Sequence, residues 1–393
     1  MFFAAALAVL AQKPADLAAP VEVPFRIADR GSAIIVDVAV NGKACSLMFD
    51  SGFSGEVMLS SAIDIGKPTG TMRLRDFVGE LDAPVVKINS LSIGALKVQS
   101  TDLSCIQQPE SFTESYGTHC DGILGFGVIR DYVVEINVEK QKFVFYPRSY
   151  DITKKTPDNV KTFLHRLEDQ GLSSLELKCE VNGQPLTMAL DTGNAFYITT
   201  HKESLIRVGA WDAKKKPSFM KSSWVASGPV DSFDMLLRNT KVFGVPVKES
   251  VWSVIDLPSS SVDSDGTVGF QFLKNFNITF DFLRRYVWLE NYNGKTSEDQ
   301  MGEPGFLIYP DKQGRYVILK VYPDGPAAQA GIQEGDILVM AGGKSLSMVS
   351  RDQLKALLDG PEGTICKVAV SRNGVLNRYD LKRMLMVNGR SSP

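Results

Sequence analysis

The stretch Val36-Asp-Val-Ala-Val-Asn-Gly-Lys-Ala-Cys-Ser-Leu-Met-Phe-Asp50 alternates apolar and polar positions on either side of an Asn-Gly pair. This is the pattern of two half-buried strands joined by a tight hairpin turn. The same pattern returns at Leu177-Lys-Cys-Glu-Val-Asn-Gly-Gln-Pro-Leu-Thr-Met-Ala-Leu-Asp191. In each copy an Asp follows nine residues after the Asn, then a small hydroxyl residue, then Gly: Asp50-Ser51-Gly52 and Asp191-Thr192-Gly193. A second match lies downstream, Asp121-Gly-Ile-Leu-Gly-Phe126 against Asp265-Gly-Thr-Val-Gly-Phe270, 71 residues after the first Asp and 74 after the second. Beyond these, Tyr132–Val138 and Phe276–Phe282 each lead through a basic turn to a final strand, Lys142–Tyr146 and Tyr286–Leu289. Two matches per copy at nearly equal spacing define a duplication. The reading is two homologous β-rich lobes, 30–148 and 172–292.

Between the lobes, 147–171 is charged and reads as helical around Val160 to Gln170, a connector. After Asn291 the polar run Asn293–Gln300 reads as a linker, and a smaller unit is expected over 303–385. There an Ala-rich helix closes at Gly331, a helical pattern runs from Arg351 to Leu358, and a hairpin turns at Asn373-Gly374.

Composition narrows the function classes. Hydrophobic residues are 44% and charged residues 22% of 393, which excludes disorder and fibrous repeats. With 43 Lys plus Arg against 45 Asp plus Glu, nothing points to a nucleic-acid partner. The first eleven residues are all apolar, too few to cross a bilayer but suited to a signal-peptide core. Residues 1–20 are therefore expected to be a signal-like segment, though without a basic flank, and the protein secreted or periplasmic. No other segment has the length and apolarity of a transmembrane span. The five cysteines include no Cys-x-x-Cys and the three histidines are scattered, so no metal site is expected. Cys105 and Cys120 bracket a polar stretch of fourteen residues and are the pair that could form a disulfide; the spacing leaves bridged and free forms both open.

The paired motifs carry the chemistry. Two carboxylates at equivalent strand ends in two lobes related by a pseudo-twofold axis can meet, and at that distance they share one proton. The charged partner is then a general base for a water molecule and the neutral one polarises a substrate carbonyl. Ser51 and Thr192 are placed to brace the opposite loop, and Gly52 and Gly193 permit close backbone approach. No cofactor is required, because water is the nucleophile.

With these motifs, each followed by a later apolar-apolar-Gly (Ile123-Leu124-Gly125; Thr267-Val268-Gly269), the chain resembles the aspartic proteases, nearer the short retropepsin-like bacterial branch than long pepsins. The resemblance spans about 260 residues. It implies a mainly β fold of two pseudo-twofold-related lobes, an endopeptidase with Asp50 and Asp191 as catalytic residues, and a peptide or protein substrate. It also implies flap hairpins, with candidates at Phe77 and Gly79 and at Trp224 and Gly228. The chain departs from the family pattern at Ala195, where a hydroxyl residue is common, and at Thr267, where a bulkier apolar residue is common.

The order of elements in 303–385 resembles a bacterial protease-type PDZ domain, a small α+β fold. That resemblance implies binding of a protein C-terminus, with Gly305-Phe306-Leu307 as the carboxylate loop and Leu354 in the groove. A packing role without a ligand fits the same residues. Other signals are weaker. Gly343-Lys344-Ser345 lacks the upstream glycine of a phosphate loop, no Gly-x-Ser-x-Gly occurs, and Lys214-Lys215-Lys216 reads as a solvated loop. The rival to an enzyme is a non-catalytic peptide-binding protein that retains the fold.

Overall fold

The computed structural model describes residues 16–28, 32–75, 80–98, 103–108, 120–155, 161–167, 175–225, 228–256, 264–297, 300–349 and 351–389. The signal-like run 1–15 and the flap candidates Phe77 and Gly79 lie outside the described residues. The fold is mainly β and forms two compact units. One comprises Met1–Lys178, Thr187–Phe196 and Thr267–Lys295; the other comprises Cys179–Leu186, Tyr197–Gly266 and Thr296–Pro393. No described helix is long and apolar enough to cross a membrane.

In the first unit, each Asn-Gly turn predicted from sequence takes left-handed backbone angles at the Asn, φ 48° at Asn41 in this unit and 52° at Asn182 in the other. Such angles are the reason Asn and Gly are found in tight hairpins. Strand Ile34–Val40 pairs antiparallel with Lys43–Asp50, and Gly122–Gly125 is inserted beside the latter in parallel register, with Gly125 opposite Asp50. A ten-stranded sheet is built outward from this centre. The second copy repeats the insertion: Ala189 and Leu190 lie parallel to Thr267 and Val268.

A six-stranded sheet brings the ends of the two copies together, in the order Val21–Pro24, Lys142–Tyr146, Val133–Asn137, Phe276–Asp281, Tyr286–Asn291, Lys161–Arg166. Glu135 and Thr279, which hold the same position in the repeat, face each other in antiparallel register. A local twofold axis therefore passes between them. Lys155 sits at this point, its Nζ 3.3 Å from Glu135 Oε2, 3.3 Å from Thr279 Oγ1 and 3.0 Å from Glu290 Oε2. Burial works to raise the Glu135 pKa, but the Lys155 ammonium and the Tyr146 and Asn137 hydrogen bonds outweigh it and hold it below the usual value.

The connector differs from its sequence reading. Lys161–Arg166 is an edge strand, not a helix, paired antiparallel with Tyr286–Asn291. Its charged residues suit a helix surface equally well, and the free edge of the sheet decides between the two by satisfying the backbone. Val160 and 168–170 lie outside the described residues.

The Cys105–Cys120 bridge is not formed: both thiols are free and buried, as are Cys45, Cys179 and Cys366. Alternation along strand Ser104–Gln108 explains this. Ile106, not Cys105, packs into the cluster that holds Cys120, so Cys105 faces the other way. Burial pushes the Cys105 thiol up to about 12 and that of Cys179 up to about 12. The expected outcome is that millimolar dithiothreitol leaves the thermal midpoint unchanged and that iodoacetamide labels no thiol of the native protein. A fall in midpoint on reduction would show that a bridge forms.

In the second unit, Ile198–His201 runs parallel to Val245–Ile255, which pairs antiparallel with Gly228–Val242, itself paired with Lys221–Val225. The C-terminal part carries a sheet in the order Phe306–Pro310, Tyr316–Val321, Ile337–Ala341, Ile365–Arg372, Val375–Lys382. Helices Pro326–Gln329 and Arg351–Leu358 accompany it. Gly331, at φ 82°, follows the end of the first helix, where the sequence placed a helix stop.

Residues 296–393 belong to the same compact unit as 197–266. Lys221 Nζ bridges Asp234 Oδ2 at 2.8 Å and Glu303 Oε1 at 2.7 Å. Near the C-terminus, Asn388 O accepts from Leu236 N, and Leu385 and Val387 pack with Leu236.

Candidate active site

Asp50 and Asp191 stand at the ends of equivalent strands, and both lie in the first unit. Each carboxylate is held by its own loop. Asp50 Oδ1 accepts from Gly52 N at 2.7 Å and Phe53 N at 3.2 Å; Asp191 Oδ1 accepts from Gly193 N at 3.0 Å and Asn194 N at 3.0 Å. The two side chains are hydrogen-bonded to each other.

Beneath them the loops are cross-braced. Thr192 Oγ1 accepts from Ser51 N at 3.0 Å and donates to Phe49 O at 3.0 Å. Reciprocally, Ser51 Oγ accepts from Thr192 N at 2.9 Å and donates to Leu190 O at 2.8 Å. Both hydroxyl residues are fully buried, so each of these groups would be costly to leave unpaired.

The two glycines are required by proximity. A Cβ on Gly52 would lie 2.7 Å from Asp191 Cγ, and one on Gly193 would lie 2.5 Å from Asp50 Oδ2. Any side chain there would separate the carboxylates.

Electrostatics follow from the geometry. Burial raises the Asp50 pKa against the Gly52, Asp191, Phe53 and Gly193 hydrogen bonds that lower it. Asp191 is raised well above the ordinary value by burial first, then by the charge of Asp50 and its hydrogen bond to it. The pair therefore keeps a proton above the usual carboxylate range.

The other sequence-selected residues are placed as follows. Trp224 and Gly228 belong to the antiparallel strands Lys221–Val225 and Gly228–Val242, with Trp224 opposite Pro229 and Val225 opposite Gly228. Phe306 and Leu354 are 7% and 2% exposed and pack in the core of the C-terminal sheet and helices. Gly305 is buried, with its carbonyl accepting from Tyr322 N at 3.0 Å, and Leu307 remains part-exposed on the edge strand. Asn194, a centre of polar contacts beside Asp191, was passed over in the sequence. The Asp-Thr-Gly motif ends one residue before it, and nothing local in the sequence marks its bond to Thr267, 73 positions on.

Residues 317–372 match the PDZ domain family, and the C-terminal region is a PDZ domain. A stretch of 94 residues, 24% of the chain, is 32% identical to a probable CtpA-like serine protease of Staphylococcus haemolyticus (strain JCSC1435). The match spans 18% of that curated relative's length. Among solved structures, an aspartic proteinase from Irpex lacteus aligns over 71% of this chain and 100% of its own, with 12% identity and a TM-score of 0.44. A photosystem II D1 C-terminal processing protease aligns over 23% of this chain and 25% of its own, with 25% identity and a TM-score of 0.22.

Proposed function

We propose that the protein is an aspartic endopeptidase with Asp50 and Asp191 as its catalytic pair. The observation that carries the reading is two mutually hydrogen-bonded carboxyls with raised pKa, each locked by its own loop and cross-braced by Ser51 and Thr192. The ionised carboxylate takes a proton from water, and the oxygen attacks the peptide carbonyl. The protonated partner gives its proton to the carbonyl oxygen, so the pair as a whole neither gains nor loses charge. Collapse of the tetrahedral intermediate, with a proton passed to the leaving nitrogen, breaks the C–N bond.

The domain division proposed is a signal-like segment 1–20, lobes 30–148 and 172–292, and the PDZ domain within 303–385. Secretion or a periplasmic site, and capture of protein C-termini at Gly305–Leu307, belong to the same proposal. The hairpin at Trp224 and Gly228 is offered as a flap on its position in the repeat.

The serine protease relative favours a second reading, a serine-type peptidase. Incubation of the full chain with a peptide library and a fluorophosphonate probe separates the two. Internal cleavages that persist in the presence of the probe, with no protein labelled, are expected for water activation by carboxylates. Covalent labelling that tracks loss of cleavage would support the serine reading. A complete absence of cleavage between pH 3 and 8 would favour the non-catalytic peptide-binding alternative.

A further inference from the structure

The two departures from the family pattern, Ala195 and Thr267, lie beside one side chain. Asn194 Nδ2 donates to Thr267 Oγ1 at 2.8 Å, and Asn194 Oδ1 accepts from Phe196 N at 2.9 Å. Its backbone N donates to Asp191 Oδ1 at 3.0 Å, and its carbonyl accepts from Phe270 N at 2.8 Å. Asn194 therefore ties the Asp191 loop to the inserted strand that carries Thr267. Thr267 is 4% exposed, so its hydroxyl depends on partners within the protein.

The first copy solves the same problem differently. Phe53 holds the position of Asn194, three residues after the Asp, and Ile123 holds that of Thr267, two before the Gly of the later motif. Phe53 packs on the apolar cluster that includes Ile123. A Cβ on Gly125 would lie 2.7 Å from the Phe53 ring, and one on Gly269 would lie 2.9 Å from Asn194 Cγ. An apolar pair in one lobe thus stands where a hydrogen-bonded pair stands in the other. Phe against Thr would cost the buried Thr267 hydroxyl this partner, so the polar residue at 267 goes with the polar residue at 194.

We infer that Asn194 and Thr267 form a positioning pair that sets the orientation of the Asp191 carboxyl and thereby the protonation of the dyad. The inference rests on the catalytic reading of Asp50 and Asp191 and deepens it. The pair acts through the Asn194 backbone N–H, one of the donors that draws the Asp191 pKa down against burial. Loosening it weakens that hydrogen bond, and the dyad holds its proton to higher pH.

The test uses Thr267→Val, Asn194→Ala and the double variant of the full chain, with Thr267→Ser as the conservative control. Thr267→Val is expected to lower kcat about tenfold at unchanged KM, the equivalent of one buried hydrogen bond. The alkaline limb of its pH profile moves to higher pH. Thr267→Ser matches the native protein, and the double variant is no worse than the stronger single. Should Thr267→Val fail to fold, Thr267→Ala carries the same expectations.

A second readout does not need activity. The pH window over which the thermal midpoint falls because the dyad ionises moves upward in Thr267→Val and Asn194→Ala, and not in Thr267→Ser. If the native chain cleaves nothing, the catalytic reading fails, while this shift still decides the pair. Midpoints lowered equally at every pH, with kcat and the pH limb unmoved, would overturn it.

Discussion

Asp50→Asn and Asp191→Asn are each expected to lower kcat/KM by roughly a thousandfold or more, as loss of a general acid or base does. The double variant should be little worse than either single, because the two carboxyls work as one unit. Asn conserves volume and keeps an oxygen to accept from Gly52 or Gly193, so both proteins should fold. In the native protein, activity should fall as pH rises through the upper apparent pKa of the pair, where the second carboxyl ionises and the acid is lost. It should also fall in acid, where the base takes up a proton.

Stability has a defined sign. Both pKa values are raised above 3.8, so between that value and the folded ones the native state holds protons the unfolded chain has released. Rising pH through this window therefore favours unfolding. Each Asn variant should lose part of that dependence and be more stable than the native protein near neutrality. Thermal melts from pH 3 to 8, run beside peptide-cleavage assays, check both halves. A folded single Asn variant with near-native activity would sink the two-carboxylate mechanism.

Lys221→Met should destabilise the second unit by about 1–3 kcal/mol, the loss expected when the cation of a half-buried ionic cluster is removed. The substitution leaves Asp234 and Glu303 as neighbouring carboxylates without their cation. Burial works to lower the Lys221 pKa, but the two acids outweigh it and raise it above 10.5. Its contribution to stability is thus fully present below 10.5 and lost as pH rises through the folded value. Adding Asp234→Asn and Glu303→Gln to Lys221→Met should recover much of the loss, since no uncompensated charge remains. Urea unfolding of the four proteins measures this, and a Lys221→Met protein as stable as the native one would show that the cluster is not coupled to the fold.

The same cluster bears on truncation. Deleting residues 300–393 takes away Glu303 and the Leu385 and Val387 contacts with Leu236. Such a chain should melt earlier whatever the PDZ domain binds. Ligand capture is therefore better probed by competing C-terminal peptides on the full chain than by deletion.

The hairpins were legible in the sequence because they are local, whereas the parallel insertion of Gly122–Gly125 and of Thr267 and Val268 was not. Asn41 and Asn182 adopt left-handed angles that few residues tolerate, and period-two alternation marks the strands on either side. The duplication extended this reach, since a repeated motif selects Asp50 and Asp191 from 45 acidic residues. The PDZ region was legible for a similar reason: its helix stop at Gly331 and its turn at Asn373-Gly374 are local backbone requirements, with φ 82° and 51° at Gly331 and Asn373.

What depended on distant partners was not legible. Lys161–Arg166 is a strand because Tyr286–Asn291 offers an edge more than a hundred residues away. Cys105 and Cys120 stay apart because alternation turns one of them from the other's cluster. The Lys221 cluster joins residues 82 positions apart, and Asn194 bonds to Thr267 across 73. By itself, the sequence determined the β character, the repeat, the turn positions and the identity of the two carboxylates, all of which rest on backbone preference and short-range pattern. Only the tertiary structure decided which buried polar groups are paired, which strand edge is filled and which copy of the repeat carries a hydrogen-bonded Asn194–Thr267 pair beside its Asp. Burial makes each unpaired polar group costly, and its partner can come from anywhere along the chain.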